Sequence, residues 1–425
     1  MTSRRSFLSR SASAMAAAAA GPAVLPGGWP QTAAEQRGAL PDEIVEALNR
    51  PVLRRELFPD PVVIESLELL RNGQYYIVRA RSTDGAEGYA VSNEDKMYVL
   101  WPIFVDHLTN FFKGKDARDL DALVQQAFID RSYYKFQSLA IWVPIASAEF
   151  AILDLLGQVS GRPVGELLGD VIRDEVALYR ANNFRGRTAE ESVRLIKERY
   201  ERERPPAVKF KVAGRMSEPE TPPGRSERMI PMLREALGDD VVMYADANGG
   251  YDVEEAIRIG RMLEDIDAGF FEEPCPFDDL WATKEVADAL EIPVAGGEQE
   301  DSMRRFRWMA ENDGVQVFQP DLFYYGGLIR SIKVARMAEA VGRPCTPHIS
   351  GAGLGMLYVL HYTAVVPNAG PHQEYKGPNR DIPFEAPPGD LAAVNGVIQV
   401  PTGPGLGVKI DPDWLAGSEV LSTLP

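Results

Sequence analysis

Residues 241–274 read VVMYADANGGYDVEEAIRIGRMLEDIDAGFFEEP, and their pattern decides the fold. A short apolar run, Val241–Ala245, gives way to a stretch with helical spacing and then to a second apolar run, Gly269–Glu272. Working outward, the same alternation recurs. Further strands are expected at Val176–Ala181, Ala207–Val212, Val294–Gly297, Val315–Gln319 and Cys345–Pro347, with helical stretches of about 10–15 residues between them. Strand–helix alternation indicates a parallel sheet, and seven or eight repeats indicate a closed barrel. The expected fold class is therefore α/β, a modified (β/α)7β TIM-like barrel over residues 173–377.

The flanks read differently. Val62–Leu70 and Gln74–Arg81 are expected as strands joined by a tight Arg71-Asn72-Gly73 turn, with a third strand from Gly88 to Val91. From Tyr98 to Gly169 the spacing is helical, and Ala146–Gly157 is apolar nearly all round, the mark of a helix buried in a domain interface. Residues 35–172 are thus an α+β capping domain, preceded by an arm with a short helix near Asp42–Asn49. Residues 378–425, rich in Pro and Gly, are expected to return to it. Residues 1–34 resemble a twin-arginine export signal, with Ser3-Arg4-Arg5-Ser6-Phe7-Leu8 before an alanine-rich run too short to span a bilayer. That implies an exported, periplasmic protein with no membrane attachment after export.

The 425 residues carry a net charge of −17. Such acidity argues against nucleic acid, whose phosphates are bound by clustered Lys and Arg. Cys275 and Cys345 fall on strands far apart around a barrel, so buried free thiols are expected rather than a disulfide.

In such barrels the C-terminal ends of the strands build the active site. Those positions hold Lys209 and Lys211, Asp246 with Asn248, Glu272, Glu298, Asp321, His348 and Glu374. From Asp246 on, each strand delivers one ionisable group to one rim. Asp246, Glu272 and Glu298 would converge as hard oxygen ligands suited to Mg²⁺. Lys209 and Lys211 share one side of a strand, where each lowers the other's proton affinity and fits a lysine to act as a base. Strands lie about 5 Å apart, so Asp321 can orient the His348 imidazole.

Six motifs in order then resemble the mandelate racemase subgroup of the enolase superfamily. They are Val208-Lys209-Phe210-Lys211, Asp246-Ala247-Asn248, Glu272-Glu273-Pro274, Gly297-Glu298, Pro320-Asp321 and Pro347-His348. The resemblance runs from about Ile64 to Trp414. It implies that Asp246, Glu272 and Glu298 hold Mg²⁺ and that Lys211 is the base on one substrate face. It implies that Lys209 neutralises the substrate carboxylate and that His348, oriented by Asp321, acts on the other face. It also implies that a protonated Glu374 hydrogen-bonds the carboxylate as it becomes an enediolate, and that the protein is a homo-oligomer. One departure is visible: the family's mobile lid between the first two cap strands is replaced by a tight turn. A cover would have to come from Ser92–Leu100, from the arm before Val62 or from a neighbouring subunit.

A base on each face allows racemisation or epimerisation. It also allows dehydration, in which one group removes the proton alpha to a carboxylate and the other helps a β-hydroxyl leave. Dehydration of an acid sugar is favoured, with Asn182, Asn183 and Asn248 binding a polyhydroxylated chain. A non-catalytic acid-sugar binder is the alternative of another class. A muconate-type cycloisomerase fits less well, because its base is expected as a lysine on the strand that here ends in Asp321.

Overall fold

The computed structural model describes residues 42–350, 353–377, 381–387 and 391–422. The paired-arginine segment and the residues up to 41 lie outside them. Three antiparallel strands open the cap: β1 (Ile64–Asn72), β2 (Tyr75–Ser82) and β3 (Glu87–Val91). Asn72 pairs with Tyr75, so the turn is the two-residue Gly73–Gln74, one position later than the sequence suggests. Gly73 has φ +60°, which a glycine adopts at no steric cost.

Helix Ser138–Ser160 has little polar surface to offer water, and it is buried from Ile141 to Gly157. One side lies against β3 so closely that a Cβ on Gly88 would stand 2.2 Å from the Leu155 amide nitrogen. Its other side meets the barrel, where Phe150 stacks on Tyr358 at 3.8 Å between ring centroids. The helix expected in a domain interface thus packs between the cap strands and the barrel helix that carries Tyr358.

The barrel strands are β4 (Glu175–Ala181), β5 (Ala207–Lys211), β6 (Val242–Asp246), β7 (Phe270–Glu272), β8 (Val294–Gly296), β9 (Val317–Phe318) and β10 (Gln373–Tyr375). They pair in parallel in the order β10-β4-β5-β6-β7-β8-β9. The strand expected at Cys345–Pro347 is present only as isolated bridges, Phe318 with Cys345 and Asp321 with His348. Pro344 and Pro347 have no N–H to give a ladder, which explains the interruption. With that segment the ring has the (β/α)7β plan. Cys275 and Cys345 are both buried free thiols.

Side chains on a strand alternate, so residues two apart share a face. Ala207, Tyr244 and Phe270 fill the barrel interior with Tyr179, Ala295 and Val317. Two residues further on, the same inward face carries Lys209, Asp246 and Glu272. An apolar plug thus forms the floor beneath the charged rim.

The tail does more than return to the cap. Glu419–Leu421 adds to the outer edge of β1, while Val397–Gln399 pairs antiparallel with β4 of the barrel. Helix Asp42–Asn49 forms as expected. The arm after it runs along barrel helix Leu328–Ala340, where the Arg336 guanidinium donates to the Arg50 carbonyl at 2.9 Å.

Glu149 lies fully buried on the interface helix, with Oε1 accepting from the Ile329 amide at 3.1 Å and Oε2 without a hydrogen-bond partner. Burial pushes its carboxyl up to about 8. The folded chain therefore holds this proton more tightly than the unfolded chain, and the associated stability is lost as pH rises from the ordinary carboxyl value through about 8. Glu149→Gln, a neutral isostere, is expected to gain in melting temperature over the unaltered protein between about pH 5 and about pH 8. A constant difference across that range in thermal unfolding would refute the assignment.

Candidate active site

The strand register sets the site. Lys211 pairs with Asp246, and Asp246 with Glu272, so three rim residues stand level on consecutive strands. Glu298 follows β8 after Gly297, whose φ of +114° turns the chain where a Cβ would strike the Phe306 ring. Asp246, Glu272 and Glu298 each offer an oxygen within 4.8 Å of the others, and all three are buried.

Lysines flank this cluster. Lys209 is 1 % exposed; its ammonium donates to both Glu272 oxygens at 2.9 Å and stands 3.1 Å from Glu374 Oε1 and 3.5 Å from Asp246 Oδ2. Burial disfavours its charge, but Glu272 and Glu374 outweigh that and hold its proton affinity well above the usual lysine value. Lys209 is thus enclosed among acids beneath the cavity. Lys211 donates to Asp246 Oδ2 and, at 3.0 Å, to Asn248 Oδ1.

On the other side of the cluster, His348 Nδ1 lies 2.6 Å from Asp321 Oδ2. An ionised carboxylate only accepts, so the imidazole carries its proton at Nδ1. Asp321 is itself pinned by the amides of Phe323, Tyr324 and Ser350, each at 2.7 Å. His348 Nε2 stands 3.3 Å from Glu374 Oε2 and 3.5 Å from Glu298 Oε2. Burial works against protonation of the ring, but these two carboxylates prevail and raise its proton affinity. Glu374 is buried as well, yet Lys209, Lys376 and His348 hold its carboxyl well below the usual range.

Asn182 and Asn248 line the cavity but have little left to offer a ligand. The Asn182 amide donates to the carbonyls of Arg180 and Lys209, and its oxygen accepts from Arg199. Asn248 Oδ1 accepts from Lys211 and from Arg185, and its amide donates to Glu273. Both asparagines thus stand at the cavity wall with their side-chain amides engaged at the strand ends. Arg185 and Lys376 were not singled out by sequence reasoning. Lys376, with Nζ 3.5 Å from His348 Nε2, had the signal of lying two residues past Glu374 on the same rim.

The cavity above these groups measures about 620 Å³. Glu94, Asp95 and Lys96 of the Ser92–Leu100 segment line it, while Arg50, after the first described helix, lies against an outer barrel helix. Three buried carboxylates with oxygens within 4.8 Å of one another, one of them (Glu298 Oε2) lacking a hydrogen-bond partner, fit a hard divalent cation that keeps open positions.

Comparison with known proteins accords with this geometry. The sequence profile of the family described as "Enolase C-terminal domain-like" matches residues 191–414. An arabinonate dehydratase from Saccharolobus solfataricus is 29 % identical over 266 residues, covering 63 % of this chain and 69 % of that protein. A D-galactarolactone cycloisomerase from Agrobacterium fabrum is 32 % identical over 286 residues, covering 64 % and 72 %. The crystal structure of a mandelate racemase/muconate lactonizing protein from Paracoccus denitrificans complexed with magnesium superposes with a TM-score of 0.75 at 27 % identity, covering 85 % of this chain and 99 % of that one. The chain belongs to the enolase superfamily, in its mandelate racemase subgroup.

Proposed function

We propose that the protein is a Mg²⁺-dependent acid-sugar dehydratase that yields a 2-keto-3-deoxy acid. Membership of the superfamily makes it a lyase or isomerase of the enolase type. The observation that carries the finer reading is the pair of proton-handling groups on either side of one carboxylate cluster. Lys211 touches Asp246, while His348 stands against Glu298 and Glu374.

Asp246, Glu272 and Glu298 would hold the ion, which when bound supplies positive charge where a second negative charge develops on the substrate carboxylate. Lys211 takes the proton alpha to that carboxylate, giving an enediolate. His348, its Nδ1–H held by Asp321, gives the Nε2 proton to the β-hydroxyl, which leaves as water. The resulting enol becomes the 2-keto acid. Glu374 holds Lys209 and His348 in register, and Lys209 offsets the acids from below. Similarity to an arabinonate dehydratase supports an acid-sugar substrate. Arg4 and Arg5 support a periplasmic setting for the activity.

A panel of aldonic and aldaric acids with Mg²⁺ is expected to give 2-keto acid from at least one member, read by semicarbazide trapping. Lys211→Ala and His348→Ala should each lower kcat by about 10²- to 10⁴-fold. Deuterium entry at the alpha carbon without elimination would point instead to an epimerase, the reading favoured by any pair of facing bases. No product and no exchange would leave an acid-sugar binder.

Mg²⁺ is expected to raise the melting temperature, by about 2.7 kcal/mol of added stability at 100-fold excess over Kd. Glu298→Gln should abolish most of that gain. An equal gain in the variant would remove Glu298 from the ligand set.

A further inference from the structure

We propose that Asn93, on the cap, is a positioning residue for the acid on the barrel, acting through Ser350. Asn93 is 3 % exposed and Ser350 6 %. The Asn93 side-chain amide donates to Ser350 Oγ at 2.8 Å and to the Ser350 carbonyl at 3.1 Å. Ser350 passes the contact on, its hydroxyl donating to Asp321 Oδ1 at 3.1 Å and its amide to Asp321 Oδ2 at 2.7 Å. Asp321 then holds the His348 imidazole. A line of four hydrogen-bonded side chains thus runs from the cap to the ring that faces the cavity.

The same asparagine has a second task. Its Oδ1 accepts from the Lys96 amide, which makes it the N-cap of helix Glu94–Ile103. The first turn of that helix carries Glu94, Asp95 and Lys96 into the cavity wall. One residue therefore starts the segment that lines the cavity from the cap and also holds the loop beside His348. With a tight β1–β2 turn in place of a lid, this link makes the position of the cover and the aim of the imidazole parts of one arrangement. Each polar atom of the Asn93 side chain has its own task, so the two can be separated by substitution.

The proposal rests on His348 being the acid, and the test keeps the two ideas apart. Asn93→Ser retains an N-cap oxygen for Lys96 but is too short to reach Ser350. It is expected to leave the melting temperature and KM near their original values and to lower kcat by about 10- to 100-fold. Ser350→Ala should behave similarly, and the double variant should lose no more than the worse single one, because both cut one line. A second reading needs no substrate. In the Mg²⁺-loaded, ¹⁵N-histidine-labelled protein, the His348 Nδ1–H resonance, assigned with His348→Asn, should move or broaden in Asn93→Ser.

Multiplying losses in the double variant would overturn the link. So would a fall in melting temperature with a raised KM, which is what a merely loosened cap produces. An unmoved resonance with unchanged kcat would also overturn it, while leaving the dehydratase reading intact. Full activity in His348→Ala would sink that reading instead, and the resonance would still judge the link.

Discussion

Like charges crowded at one buried rim set the terms for everything else in this protein. Asp246, Glu272, Glu298, Glu374 and Asp321 are all buried at one rim. Burying an unpaired carboxylate is strongly unfavourable, and neighbouring acids make it worse. The chain answers with cations and donors brought from different strands: Lys209 at the centre, Lys211 at one edge, His348 and Lys376 at the other. Glu272 shows how incomplete that answer is, since burial and the nearby Asp246 hold its proton affinity well above the ordinary value. Three of these buried carboxylates, Asp246, Glu272 and Glu298, fit a hard divalent cation.

Rigid placement follows from the same architecture. The ionisable groups stand on strand ends locked by register, above a floor of Tyr244 stacked on Phe270 at 4.0 Å. Positive backbone angles at Asn248 and Glu273, φ +46° and φ +43°, occur where the chain leaves β6 and β7. Such conformations are costly for non-glycine residues and cluster at functional sites. Here Asn248 is held in that shape by Arg185, Lys211 and Glu273 together.

Much of this was legible in the sequence because its signals are local. Alternation of strand and helix, one ionisable group per strand end, and the Asp321–His348 spacing all survive translation into three dimensions. The hairpin turn and the strand limits moved by one or two residues, and prolines broke one expected strand into bridges. The losses came where partners are distant in sequence. Nothing local announces that Arg199 and Arg185 will bond to the side chains of Asn182 and Asn248. Spacing gives the face of the strand on which Lys209 stands but not the depth of its side chain. The three cations around Glu374 come from positions 209, 348 and 376. Asn93 and Ser350 carry no motif at all; only the packing of cap on barrel brings them together.

The edge strand Glu419–Leu421 has a consequence for how the molecule assembles. Pairing Leu69 with Leu421 encloses the entire barrel sequence between two neighbours in one small sheet. Closing so long a loop is entropically dear until the intervening chain is already compact. A compact barrel lowers that cost by holding the two ends of the cap sheet within reach of each other, so the edge strand depends on the barrel for its place.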